Sequence, residues 1–127
     1  MPITIDPIRY LETRSGIVTV TSTFFVSVVA NNQAIIPTAS VTGKRVRVMG
    51  WIAQSVGAVV GSFTLKSASG GTALMAPLTV PPVTAGLSDK LPIIETGYME
   101  TNTGEGLYVD VTGAGVNFTI FNIIYTP

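Results

Sequence analysis

The segment from Val116 to Tyr125 constrains the fold most, because it is apolar at both parities of an extended chain. Val116, Phe118, Ile120 and Ile124 fall on one side of a strand, and Phe121, Ile123 and Tyr125 on the other. A strand of this kind is covered twice, once by its own core and once by something else. The rest of the chain alternates more conventionally. From Ile17 to Val29, Val18, Val20, Phe24, Val26 and Val28 share one parity while Thr19, Thr21, Thr23 and Ser27 take the other, which predicts a strand with one buried face.

Further strands are expected along the chain. Asn31-Asn32-Gln33 reads as a turn, and Ala34 to Ile36 before Pro37 as a short edge strand. After Thr42-Gly43, the segment Lys44 to Ile52 places Val46, Val48 and Ile52 inward and Arg45, Arg47, Met49 and Trp51 outward, so that Trp51 stands on a basic face. Val59, Gly61, Phe63 and Leu65 alternate with Val60, Ser62, Thr64 and Lys66, and the turn at Ser67 to Gly71 returns the chain through Leu74, Ala76, Leu78 and Val80 as an antiparallel hairpin. Pro81 to Lys90 is a loop, a short strand covers Leu91 to Ile94, and turn residues at 101–106 and 113–115 bracket a strand from Leu107 to Val111.

No segment has a helical period, and Val, Ile, Thr and Gly stand where helix formers would be needed. About eight short strands separated by turns predict an all-β, antiparallel sandwich of jelly-roll type, in which two sheets each bury one face against the other. The 127 residues suffice for one such domain, here residues 16–127. Residues 1–15, broken by Pro2 and Pro7, read as an extended arm with Ile3, Ile5, Ile8 and Tyr10 at no sustained period. Fifteen extended residues reach about 50 Å, enough to cross onto another subunit, although an edge strand of the same domain fits the segment equally well.

Composition then narrows function. Only 11% of residues are charged, against about 25% in an average soluble domain, and seven basic residues cancel seven acidic ones. No long-range field draws such a chain to nucleic acid or to an anionic membrane, and the weak charge fits a subunit whose surface is partly covered by neighbours. The chain has no Cys and no His, which removes disulfides, thiol and Ser-His nucleophiles, the usual zinc sites and any histidine switch. Met1 to Asp6 lacks the basic and apolar segments of a secretory signal and no run approaches a membrane span, so synthesis in the cytoplasm is expected.

The candidate sites are few. Asp6, Glu12, Asp89, Glu95, Glu100, Glu105 and Asp110 stand apart with no pair at metal-ligand spacing, so no catalytic residue, metal site or cofactor is assigned and an enzyme is not expected. Gly113-Ala114-Gly115 lacks the third glycine and the following helix of a nucleotide loop and reads as a hairpin turn. Asn117-Phe118-Thr119 matches a glycosylation acceptor but lies within a strand. Lys44, Arg45 and Arg47 beside Trp51 form either a solvated sheet face or a subunit contact, Arg and Trp being favoured interface anchors. Trp51, Tyr98 and Tyr108 would suit a sugar-stacking platform if they converged, against the alternative of ordinary packing.

The order of pieces from Gly43 onward resembles the small jelly-roll domains of tailed-bacteriophage head-decoration and fibre proteins. Gly-Lys-Arg-Val-Arg-Val at Gly43 to Val48 is followed by Gly-Ser-Phe-Thr-Leu-Lys-Ser at Gly61 to Ser67 and by Gly-Gly-Thr-Ala-Leu at Gly70 to Leu74. Pro81-Pro82, Gly-Tyr-Met-Glu-Thr at Gly97 to Thr101, and the Gly-Glu-Gly-Leu strand of Gly104 to Val111 complete the series. The resemblance implies symmetric, for instance homotrimeric, packing on a capsid or fibre. It implies a virion location, with the major capsid protein or another virion protein as partner. Ile3, Ile5, Ile8, Tyr10, Arg45, Arg47, Trp51, Phe121, Ile123 and Tyr125 are then the expected contact residues. A glycan-recognising fibre module, with Tyr98 and Tyr108 as contacts, is the alternative expectation.

Overall fold

A computed structural model of the chain describes residues 17–27, 30–55, 60–81, 89–94, 96–113 and 116–127. The expected arm, with Ile3, Ile5, Ile8 and Tyr10, lies outside the described residues. The strands are β1 (Ile17–Ser27), β2 (Ala30–Ile36), β3 (Arg45–Ser55), β4 (Gly61–Ser67), β5 (Leu78–Val80), β6 (Asp89–Leu91), β7 (Met99–Glu100), β8 (Leu107–Gly113) and β9 (Val116–Tyr125). One sheet has the order β1-β9-β3-β6, with β7 also paired to β3; the other has the order β2-β8-β4-β5. All pairings are antiparallel. Successive strands pass back and forth between the sheets, so that distant segments pair, β1 with β9 and β2 with β8. This is the interleaving of a jelly roll, and the all-β sandwich expected from the strand pattern is what forms.

The core lies between the sheets. Val46, Val48, Trp51, Ala53, Val116 and Ile120 from the first sheet meet Phe63, Leu65, Val80, Leu107, Val109 and Val111 from the second. In β4 the burial alternates without a break, Gly61, Phe63, Leu65 and Ser67 buried and Ser62, Thr64 and Lys66 half-buried, as its sequence predicts. The turn at Ser67 to Gly71 also forms, with Ala68 and Gly70 at positive φ and the Ser67 amide donating to the Thr72 carbonyl. Asn31-Asn32-Gln33 is a different matter. The expected turn is part of β2, where the register is irregular and Asn32 takes φ 52°, a left-handed conformation that an Asn tolerates inside a bulged edge.

β3 departs most instructively from simple alternation. Val48 pairs with Asn122 and Gly50 with Phe121, so Met49 is an extra residue, a β-bulge. Before the bulge the even residues Val46 and Val48 point inward; after it Trp51, Ala53 and Ser55 do. The expected outward Trp51 is therefore 3% exposed and packs edge-on to Phe63 at 5.4 Å, while Ile52, expected inward, is 45% exposed. A glycine within a strand is a recurrent mark of a bulge, and Gly50 is that mark here.

Candidate interaction surface

The two sheets turn very different outer faces away from the core. On the four-stranded sheet, register sets Ser62 opposite Thr112, Thr64 opposite Asp110 and Lys66 opposite Tyr108. Lys66 Nζ donates to Asp110 Oδ2 at 3.1 Å and to Asn32 Oδ1 at 2.7 Å, and the Asn32 amide donates to Asp110 Oδ1 at 2.7 Å. Partial burial pushes the Asp110 carboxyl up, but the Asn32 amide and Lys66 outweigh it and hold the carboxyl below its ordinary range. Ser62 and Thr112 share a hydroxyl hydrogen bond. Lys66, Asp110, Asn32, Ser62 and Thr112 each find a partner on a neighbouring strand, as on a sheet that faces water.

The middle of the outer face of the five-stranded sheet is apolar. Met49 and Ile123 are buried there, with Ile93, Phe121 and Tyr125 packed against them in a cluster separate from the main core. The cover is a strap of the chain itself, formed by Pro92–Ile94 and the residues from Thr96 to Thr101. The Ile94 and Tyr98 amides donate to the carbonyls of Met49 and Val48, the Thr101 amide donates to that of Val46, and the Tyr98 hydroxyl donates to the Pro92 carbonyl at 2.7 Å. Gly97 makes the close crossing possible: its φ is +71°, and a Cβ there would stand 2.6 Å from Arg47 Cγ. Ile123, expected at a subunit contact, is only 1% exposed because Ile93 lies over it.

The strap is anchored by Glu100. Its Oε1 accepts from Arg45 Nη1 at 2.9 Å, and its Oε2 accepts from Arg47 Nε at 3.4 Å and from the Tyr125 hydroxyl. Arg47 also lies over the Tyr125 ring at 4.5 Å and donates to its hydroxyl at 3.0 Å. Partial burial raises the Glu100 carboxyl, yet the Tyr125 hydroxyl and the two guanidinium groups prevail and keep it below its ordinary range. Arg45 and Arg47 thus hold a carboxylate of their own chain and do not form a bare basic patch. In the sequence Glu100 stands apart from every other charge with which it pairs; its distance of more than fifty residues from both arginines hid the pairing.

Beyond the strap the face is open. Trp51, Ile52, Lys90, Pro92, Ile93 and Phe121 line a cleft of about 350 Å³, apolar except for Lys90. In the pairing of β1 with β9, Val20, Ser22, Phe24 and Val26 stand opposite Ile123, Phe121, Thr119 and Asn117. Thr19, Thr21 and Thr23 stand opposite Ile124, Asn122 and Ile120, the inward set.

The aromatic platform for a sugar does not form. Tyr98 is on the strap of one sheet, 6.5 Å from the buried Trp51, whereas Tyr108 is on β8 of the other and accepts a hydrogen bond from the Thr38 amide. Among the described residues no group of three His, Cys, Asp or Glu side chains is placed to hold a metal ion, and no helix is long and apolar enough to cross a membrane. The acids that are paired, Glu100 and Asp110, each face cations in separate networks on opposite sheets. No protein-family model matches the chain, and no curated protein and no solved structure does either.

Proposed function

We propose that the chain is a non-enzymatic structural subunit of a virus particle, a decoration or cement protein of the tailed-bacteriophage kind that binds the assembled shell and stabilises it by bridging its subunits. The observation that carries this reading is the asymmetry of the two outer faces, one polar and internally satisfied, the other apolar with an open cleft at Ile52 and Phe121. A fold alone does not assign a function, and jelly rolls serve capsids and lectins alike. An apolar face continuous from β3 to β9, with the strap over only part of it, suits docking onto another protein. A partner that holds only the assembled state stabilises it by mass action, without chemistry. The partner in this reading is the major capsid protein or a neighbouring virion protein, and the location is the shell surface.

The test is to mix the purified chain with particles from its source and image them by electron microscopy, with thermal disruption of the particles as a second readout. Regularly repeated density on the shell and a higher disruption temperature are expected. Binding to a glycan array with no density on the shell would replace this reading with that of a receptor-binding fibre module.

A further inference from the structure

We infer that β1 pairs with β1 of a second copy of this chain, antiparallel and about a two-fold axis at Ser22, joining two five-stranded sheets into one continuous sheet. A sheet edge presents unpaired N–H and C=O groups, and proteins blunt such edges by shortness, charge, proline or bulges. Three of the edges here are blunted in those ways. β5 and β6 have three residues each, β6 carrying Asp89 and Lys90, and β7 has two, ending in Glu100. β2 has two register irregularities, the left-handed Asn32 and Pro37 just beyond its end.

β1 has one such irregularity, at its very start between Ile17 and Thr19. Beyond it the strand pairs in unbroken register with β9 from Thr19 to Ser27 and contains no charge, no proline and no glycine. Among the described residues nothing pairs with its far edge. Such an edge is a template for strand addition.

The sequence of β1 says which strand fits. Read about Ser22, its centre is palindromic in polarity: Val20 answers Phe24 and Thr21 answers Thr23, while Thr19 answers Phe25. Antiparallel pairing across a two-fold axis brings together positions related in this way, so at the centre Val20 meets Phe24 and threonine meets threonine, and no like charges oppose anywhere along the strand. The two outer apolar faces then lie side by side on one extended sheet, which doubles the surface available for docking. A three-fold arrangement cannot use this edge in the same self-complementary manner.

The test measures the mass of the full chain in solution by light scattering and sedimentation across a range of concentrations. A species of twice the 13.3 kDa chain mass is expected. The variants V20K/F24K and V20E/F24E each place like charges opposite across the axis, and each should dimerise about tenfold more weakly or worse. An equimolar mixture of the two should restore the dimer. A wild-type chain that stays monomeric, or forms a trimer, overturns the inference, as does folded variant protein whose mixture fails to associate. Should the variants not fold, hydrogen exchange on the wild-type chain decides: protection of Ile17–Ser27 that rises with concentration supports the pairing, and protection independent of concentration overturns it. A dimer that ignores particles would leave this inference standing and remove only the decoration reading.

Discussion

The two sheets of this sandwich share a core and an antiparallel architecture, yet their outer faces obey different rules. On the four-stranded sheet, Ser62, Thr64 and Lys66 face Thr112, Asp110 and Tyr108, and the charges are neutralised by neighbours on adjacent strands. On the five-stranded sheet, Met49, Ile52, Phe121 and Ile123 take the corresponding places, and the chain spends a loop to cover some of them. Core packing cannot distinguish the two sheets, since both give their inner sets to the same cluster. The difference lies in the outer faces and not in the fold they share.

The harshest way to break that contrast is at Trp51, which belongs to the core and also lines the outer cleft. W51A should lower stability by about 3–5 kcal/mol, measured by denaturant unfolding, because it leaves a cavity against Phe63. Next comes Gly106, where the second sheet begins. A Cβ at this position would lie 2.1 Å from the Ile36 carbonyl oxygen and 2.6 Å from the Thr38 nitrogen, both backbone atoms. G106A should cost about 1–3 kcal/mol or more and loosen the β2–β8 junction in hydrogen exchange, with the strap side unchanged.

The carboxylates sharpen the comparison further, since each outer face has one. Both Glu100 and Asp110 are held below the ordinary carboxylate range when folded. Their contribution is therefore complete above the unfolded value, about pH 4–4.5, and is lost as pH falls through the lower folded values. Melting temperature should be level down to about pH 5 and decline in more acid solution. E100Q should cost roughly 1 kcal/mol, less than a buried charge pair because Arg45 and Arg47 remain partly solvated. It should also raise the binding of a hydrophobic dye as the strap leaves Met49 and Ile123. D110N should remove a similar share of the acid decline without the dye signal.

The smallest effects on folding should accompany the clearest separation in binding. I52K and T64K alter residues on opposite outer faces, and each should change stability by no more than about 0.5 kcal/mol. Only I52K should abolish attachment to particles in a co-sedimentation assay. Equal behaviour of the two variants would erase the distinction between the faces.

Much of this was legible in the sequence where the alternation is regular. The β9 boundaries, Val116 to Tyr125, follow from an apolar run that begins after the Gly113-Ala114-Gly115 turn, and the unbroken burial of β4 follows from period two. The doubly apolar character of β9 called for a second cover, and part of that cover comes from Ile93 of the same chain, which no alternation could announce. Trp51 and Ile52 were assigned to the wrong faces because one inserted residue at Met49 inverts the parity of everything after it, and parity carries no memory of a bulge. Asn122 interrupts the inward set of β9, buried between Thr21 and Val48 in register, and nothing in its flanking residues distinguishes it from a surface asparagine.

The strap formed by Pro92–Ile94 and the residues from Thr96 to Thr101 has a consequence for the chain on its own. A chain with a fully bare greasy sheet would clump with any sticky neighbour it met. Clasped down by Glu100, the strap works as a fitted apron, keeping the patch over Met49 and Ile123 dry and leaving only the margin at Ile52 and Phe121 open to water.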